Sequence, residues 1–193
     1  MGNGKKALRV EEVAATAERC FEKFGVHRTS MKDVADELGV TRQTVYRLFE
    51  NRNLLLEYIA DRRIIELGKN LKKDFDKLKN LEEALVEGSL LSLQAGRSDA
   101  LLTEITQNSS HDFDQFLFRG TADIQKVMLS LWSSFLDQAR EEGKLRDGIS
   151  NDQAVEWIRN CHAVANIRDD MGPDEYRTMF QTFLVPSILK DEH

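Results

Sequence analysis

This sequence has few cysteines and no long apolar run, and its first residues are not those expected of a signal peptide. Its 2 cysteines, Cys20 and Cys161, are far apart and outside any CxxC or Cys/His spacing, so we predict neither a disulfide framework nor a structural zinc site. No apolar run approaches the roughly 18 to 20 residues that cross a bilayer, and the segment MGNGKKALRVEE lacks the apolar core of a signal peptide. We therefore expect a cytoplasmic protein with no membrane partner.

The motifs of the common enzyme classes are missing as well. The sequence contains no HExxH, no GxSxG, no Walker loop and no GxGxxG, and each of these brings together groups that a particular chemistry requires. We therefore predict a protein that is not an enzyme, with no catalytic residues, no metal and no cofactor.

Proline and strand-like alternation are also scarce. The chain has 2 prolines and no alternating apolar and polar run long enough for a strand, whereas apolar residues recur at helical spacing throughout. We predict an all-α protein whose last helix is kinked or ended early by Pro186. Besides two short helices between residues 30 and 49, the expected helices cover about 9–24, 51–78, 81–95, 98–108, 113–142, 151–170 and 173–190.

Capping residues define the two short helices. Ser30 with Asp33 three residues later forms a capping box for the first of them, and Gly39 closes it. Thr41 can cap the next helix, so only the short segment ELGV separates the two, with glycine where the backbone needs a positive φ. This arrangement predicts a helix-turn-helix.

Charge is distributed unevenly along the chain. The net charge of -6 argues against a nucleic-acid partner. Residues 1–52, however, hold 10 Lys and Arg against 8 Asp and Glu, while residues 53–193 hold 17 against 25. The segment LGVTRQTVYRLF contains Arg42 and Arg47 and no acid, so a small cationic surface accompanies an acidic body.

The third helix has a polar outward face above apolar residues. Val45, Leu48 and Phe49 are expected to face inward. The residues at the start of a helix can contact base edges in the major groove, where Arg42 could pair with guanine and Gln43 with adenine. An ordinary solvated helix face is the alternative interpretation. The polar set is Thr41, Arg42, Gln43, Thr44, Tyr46 and Arg47.

The stretch AERCFEKFGVHRTSMKDVADELGVTRQTVYRLFENRNLLLEYI resembles the DNA-binding domain of the TetR family of bacterial transcriptional regulators. It shares an aromatic-x-x-x-Gly end to the first helix, a Thr-Ser opening of the second, a Gly-Val turn and a Thr-x-Tyr-x-x-Phe third helix. The resemblance implies a polar arm (1–8), a three-helix helix-turn-helix DNA-binding domain (9–52) and a larger helical effector-binding and dimerisation domain (53–193).

The resemblance also implies roles for single residues. Contacts with bases fall on Lys32, Thr41, Arg42, Gln43 and Arg47. Contacts with phosphates, which position the protein without specifying sequence, fall on Thr29 or Ser30, Thr44, Tyr46 and Arg52.

The C-terminal part is expected to supply pairing, because one helix-turn-helix contacts too few base pairs to locate a site. Such proteins usually bind as dimers to half-sites about 34 to 36 Å apart. Apolar stripes on the last two helices are the candidate interface, although they could equally cover the core of their own subunit. The interface candidates are Val155, Ile158, Tyr176, Met179, Phe180, Phe183 and Leu184.

The helix expected over 113–142 is apolar on most sides and is predicted to be buried nearly all round. In the family, the equivalent helix runs through a ligand cavity. The candidate lining residues are Phe116, Trp132, Phe135, Trp157 and His162. Ordinary core packing is the alternative for all of them, His162 included.

Together these observations predict a sequence-specific DNA-binding transcriptional regulator. We expect a homodimeric repressor that leaves a palindromic double-stranded DNA operator when a small hydrophobic or aromatic effector binds its C-terminal domain. Two alternatives stay open: a regulator of the same fold that activates or takes no ligand, and a helical small-molecule carrier without DNA binding.

Overall fold

A computed structural model describes residues 8–107, 111–168 and 170–190. Within these ranges the regular elements are helices, accompanied by one isolated antiparallel bridge between Leu145 and Leu189, so the predicted all-α class is confirmed. Residues 1–7 of the predicted polar arm lie outside the described part of the chain. Among the described residues, no helix is both long and apolar enough to cross a membrane.

The helices follow one another with short connections. Two π-helical turns, Ala84–Gly88 and Phe180–Leu184, lie within the helical runs near 81–98 and 173–188. The helices are α1 (Val10–Phe24), α2 (Met31–Glu37), α3 (Arg42–Tyr46), α4 (Arg52–Phe75), α5 (Leu81–Glu83), α6 (Ser89–Ser98), α7 (Ala100–Gln107), α8 (His111–Arg119), α9 (Ala122–Glu141), α10 (Asn151–Ile167), α11 (Pro173–Met179) and α12 (Val185–Ile188).

The chain forms two compact units. The first contains the residues up to Ala60 together with residues 100–114, and the second contains residues 61–99 and those from Gln115 onward. The first unit therefore includes α7, which packs on α1. Along the chain, residues 61–99 of the second unit separate α7 from the rest of the first unit. The domain limits 9–52 and 53–193 that the resemblance implies stay a prediction.

Local sequence signals explain the first unit. Gly25 ends α1 at a φ of 86°. Ser30 caps α2 by accepting from the Asp33 amide, while the Asp33 carboxylate accepts from the Ser30 amide at 2.8 Å, as the capping box predicted. Asn51 caps α4, because its side-chain oxygen accepts from the Leu54 amide at 3.0 Å. Apolar residues at helical spacing fill the core: Val13, Ala14, Ala17, Phe21, Val34, Ala35, Val45 and Phe49.

Aromatic rings and branched side chains fill the core of the second unit. Phe75 at the end of α4 meets Trp132 of α9 edge to face, with ring centroids 5.2 Å apart. Each fully buried side chain of this size contributes about 1.5 to 3 kcal/mol from the area it removes from water. The neighbours include Leu85, Leu131, Leu136, Val155, Ile158, Tyr176, Phe180 and Ile188.

The expected helix over 113–142 is wrong in two respects. It is interrupted at Gly120, which has a φ of 61°, and α9 begins afresh with Thr121 as its cap, where Oγ1 accepts from the Ile124 amide at 3.2 Å. It is also amphipathic rather than buried all round, because Phe118 is 39% exposed. The Gly-Thr pair that marks this break is visible in the sequence, but the apolar residues on both sides of it obscured the break.

The last helix ends early, as Pro186 predicted. The helix changes to a π-helical turn over Phe180–Leu184 just before the proline, and α12 ends at Ile188 instead of residue 190. A proline has no amide hydrogen for an intrahelical bond, so a regular helix cannot continue unchanged through it.

Candidate nucleic-acid interface

The start of α3 carries exposed polar side chains on one side and a buried apolar side chain on the other. Thr41, Arg42, Gln43 and Arg47 are exposed, while Val45 on the opposite side is fully buried. Thr41 caps the helix, because its Oγ1 accepts from the Thr44 amide at 3.3 Å. The predicted base-contacting residues of α3 therefore share one accessible face, and no acid lies within the helix.

Arg42 and Tyr46 form a pair on this face. The guanidinium lies 4.9 Å from the centre of the tyrosine ring, and its Nη2 donates to the tyrosine hydroxyl at 2.9 Å. A cation over an aromatic ring at an exposed site contributes about 0.5 to 1 kcal/mol. The pair thus holds Arg42 along α3 only weakly, so the side chain can still turn toward a base.

Lys32 of α2 is also on the surface. Its ammonium contacts the Asp36 carboxylate at 2.6 Å, and this hydrogen bond raises the pKa of Lys32. Both side chains are exposed, and exposed ion pairs contribute little to stability. A phosphate or a base acceptor can therefore take the place of Asp36 as the partner of Lys32.

Two predicted phosphate contacts make hydrogen bonds within the protein. Thr29 is buried, and its hydroxyl donates to the Gly25 carbonyl at 2.9 Å. Arg52 donates from Nε to the Thr29 carbonyl at 3.2 Å and from Nη2 to the Val26 carbonyl, and burial lowers the pKa of its guanidinium. Both side chains hold the turn between α1 and α2; the phosphate prediction for the buried Thr29 is therefore corrected, while that for the half-buried Arg52 stays a prediction. Ser30 stays exposed at the start of α2.

Glu104 of α7 is a supporting residue that the sequence analysis missed. Its Oε1 accepts from the Val26 amide at 2.6 Å, on the turn whose carbonyls Arg52 holds. Two charged groups therefore bind the turn, since Glu104 accepts from a turn amide and Arg52 donates to turn carbonyls. Because 78 residues separate Glu104 from Val26, no local sequence pattern could have indicated this contact.

Comparison with known proteins agrees with this geometry. Residues 6–59 match the sequence profile TetR_N, described as bacterial regulatory proteins, tetR family. A probable acrEF/envCD operon repressor of Escherichia coli (strain K12) is 30% identical over 115 residues, which cover 57% of this chain and 52% of that protein. The HTH-type transcriptional repressor KstR2 of Rhodococcus jostii (strain RHA1) is 24% identical over 169 residues, covering 84% of this chain and 80% of KstR2.

Residues 6–59 of the chain therefore form a TetR-family domain. The resemblance found in the sequence is thereby confirmed. The chain spans about half the length of the E. coli relative that it matches.

Solved structures of TetR-family proteins share the fold. A TetR-family repressor, Thermus thermophilus FadR, in complex with lauroyl-CoA, superposes with a TM-score of 0.69 at 14% identity over 96% of this chain and 97% of that one. The TetR-family repressor AlkX of Dietzia sp. gives a TM-score of 0.64 at 19% identity over 95% and 97%. At these identities the likeness shows the helical fold alone.

The candidate dimer residues of this chain divide into two groups. Five of them are buried within their own unit, so they are corrected to core residues: Val155, Ile158, Tyr176, Phe180 and Leu184. Met179 is half-buried, and Phe183 is 70% exposed. The accessible large apolar side chains of these elements are instead Trp157, Val164 and Ile167 of α10 and Phe183 of the turn Phe180–Leu184.

The candidate ligand residues are also only partly brought together. Trp132, Phe135 and His162 are buried in the second unit, with the rings of Trp132 and His162 6.2 Å apart. Phe116 is half-buried. Trp157 is 49% exposed and donates from Nε1 to Ser187 Oγ at 2.9 Å, so it is corrected to a surface residue.

Proposed function

We propose that this TetR-family regulator is a cytoplasmic dimeric repressor, released from a palindromic DNA operator when a small hydrophobic or aromatic effector binds its second unit. The observation that carries the proposal is the exposed, acid-free face of α3. There Arg42, Gln43 and Arg47 project from a helix that is capped at Thr41 and anchored by the buried Val45. Such a helix start fits the major groove, where Arg and Gln distinguish base pairs.

Its relatives support this proposal. The E. coli relative is named a probable operon repressor, and the solved FadR structure holds lauroyl-CoA. Repression by this chain, and binding of a ligand with a large apolar part, are the corresponding proposals here.

The proposed pairing of two chains is supported by exposed apolar side chains of the second unit. Trp157, Val164 and Ile167 follow one another along α10, and Phe183 lies on the accessible side of the last helical run. The hydrogen bond from Trp157 to Ser187 joins these two elements. We propose that these side chains cover the same side chains of a second copy, because a two-fold dimer interface is self-complementary.

Effector control is proposed to act through α4. Phe75 at its C-terminal end packs on Trp132 in the second core, and Arg52 at its N-terminal end holds the turn that precedes α2. A ligand that enters beside Trp132 displaces Phe75 and with it the helix. The ligand acts only to the extent that it binds the displaced state more tightly than the DNA-bound state.

Selection of genomic fragments tests the DNA-binding proposal. The purified protein is mixed with sheared genomic DNA from its source at moderate salt, and the retained fragments are sequenced. We expect an inverted repeat whose halves lie about one helical turn apart. Retention without a shared sequence, or no retention, would contradict the repressor and favour a small-molecule carrier.

The Phe183→Glu variant tests the proposed dimer interface. Two like charges placed on a self-complementary apolar face disfavour association, so we expect this variant to sediment as a monomer while the parent sediments as a dimer. Phe24→Glu is the matched control, since Phe24 is also an exposed phenylalanine but lies in the first unit. A dimeric Phe183→Glu protein would contradict this interface.

A further inference from the structure

Arg159 is a buried cation whose guanidinium donates to backbone carbonyls. It lies on α10 with 8% of its surface exposed, and burial lowers the pKa of its guanidinium. Its Nη1 donates to the Leu117 carbonyl at 3.0 Å and to the Phe118 carbonyl, in the last turn of α8. No carboxylate of the described residues forms an ion pair with it, and the nearby Glu156 is itself exposed.

In the described part of the second unit, four buried side-chain atoms have no hydrogen-bond partner, and they belong to Ser89, Trp132, Asn160 and His162. His162 follows Arg159 by three residues and therefore lies on the same face of α10. The Nε2 atom of His162 and the Nε1 atom of Trp132 are buried without a hydrogen bond, and their rings are 6.2 Å apart. Ser89 Oγ, on α6 that packs against α10, is also buried and unpaired. Leaving such groups unpaired is costly, so a natural core that retains them calls for an explanation.

The chemistry of this set selects one class of ligand. The guanidinium and the indole can only donate hydrogen bonds, while the imidazole and the hydroxyl can donate as well as accept. Burial lowers the pKa of His162 to about 4, so Arg159 supplies the positive charge at neutral pH. An acceptor with a negative charge satisfies these groups, whereas a cation meets repulsion and a neutral molecule leaves the guanidinium uncompensated.

We propose that Arg159, His162 and Trp132 bind the carboxylate of an organic acid with an apolar body. The guanidinium holds the carboxylate, because a charge-assisted pair of this kind is stronger than its bonds to the α8 carbonyls. The body of the acid packs among the aromatic rings next to His162 and Trp132, which include Phe180 and Phe75. This inference rests on the proposed effector function and specifies the ligand class of that site.

Calorimetric titration with three probes of the same shape tests the proposal. The full-length protein is titrated with 4-phenylbutyrate, 4-phenylbutanol and 4-phenylbutylamine, which share one body and differ in the head group. Hydrogen bonds to a charged group are strong enough that we expect the acid to bind at least about tenfold more tightly than the alcohol. The amine should bind more weakly than either.

Variants of the arginine identify the group that recognises the acid. In Arg159→Gln the affinity for the acid should fall to that for the alcohol, while the affinity for the alcohol stays within a factor of about two, as for loss of one local contact. Arg97→Gln is the matched control, because Arg97 also donates to helix-end carbonyls, those of Ala165 and Arg168, in the second unit. It should keep the parent's preference for the acid.

A second variant keeps the test valid if Arg159→Gln does not fold. His162→Phe preserves the size of the buried ring and removes both nitrogens, so it should weaken binding of the acid severalfold and leave the alcohol unaffected. Equal binding of acid and alcohol by the parent, tighter binding of the amine, or no binding of any probe would overturn the proposal. Failure of the repressor function would show separately, as loss of DNA retention with the preference for acids intact.

Discussion

The two units of this protein differ in whether the polar groups described below have hydrogen-bond partners. In the first unit, Ser30 and Thr41 cap helices and the buried Thr29 hydroxyl has carbonyl partners. In the second unit, the core contains the unpaired nitrogens of His162 and Trp132. The comparison suggests that the first unit is built to hold one fixed surface and the second to accept a partner that its own chain lacks. Three changes test the contrast.

Acid should reveal the cost of the unpaired histidine. The pKa of His162 is about 4 in the folded protein, whereas that of a histidine in the unfolded chain is 6.5. Above pH 6.5 both states are neutral there; between pH 6.5 and 4 the unfolded state takes up a proton that the folded state does not. The free energy of unfolding should therefore fall as the pH falls through this window, by about 3 kcal/mol in all.

The His162→Phe variant isolates this effect from the other titrating groups. Urea denaturation of the parent and the variant at matched protein concentration, near neutral pH and near the lower end of the window, gives the difference in their acid sensitivity. Equal losses in the two proteins would show that His162 is not held in its neutral form by burial.

Removal of the buried, hydrogen-bonded Thr29 hydroxyl should lower stability and leave DNA binding unchanged. Removal of a DNA contact should weaken DNA binding and leave stability nearly unchanged. Thr29→Val leaves the Gly25 carbonyl without its donor, so we expect a loss of about 1 to 3 kcal/mol in unfolding free energy. Operator affinity and its salt dependence should stay unchanged. Thr44→Val is the matched control at a predicted phosphate contact, and it should weaken DNA binding with little effect on stability. A changed salt slope for Thr29→Val in fluorescence anisotropy would restore Thr29 as a phosphate contact.

Two serines allow the smallest and most direct comparison. Ser30→Ala removes a helix cap and should cost about 0.5 to 2 kcal/mol. Ser89→Ala removes a buried hydroxyl that has no partner, so stability should be unchanged or raised by up to about 1 kcal/mol. Thermal denaturation of both variants measures the difference. A loss at Ser89 as large as that at Ser30 would mean that this hydroxyl is already satisfied in the folded chain.

What the sequence revealed depended on the distance between interacting residues. The capping box of Ser30 and Asp33, the cap at Thr41 and the turn at Gly39 involve neighbours, so their geometry follows from local rules. The family resemblance then supplied functional roles for that same segment.

Contacts between distant residues could not be predicted in this way. Glu104 meets Val26 across 78 residues, and Arg159 meets Leu117 across 42. The inward and outward sides of α10 were also misjudged, because helical spacing shows that apolar residues share a face but not what covers that face. Val155 and Ile158 were thus assigned to a partner, whereas Trp157 remains accessible.

The central claim is that α3 recognises a DNA sequence, and the Arg42→Ala variant tests it most directly. Anisotropy titrations of the selected operator and of single-base substitutions in it should show a loss of about 1 to 3 kcal/mol confined to particular base pairs. Lys126→Ala removes one exposed positive charge from the second unit and should keep the full sequence preference. An Arg42→Ala protein that keeps the parent's preference at every position would contradict the account.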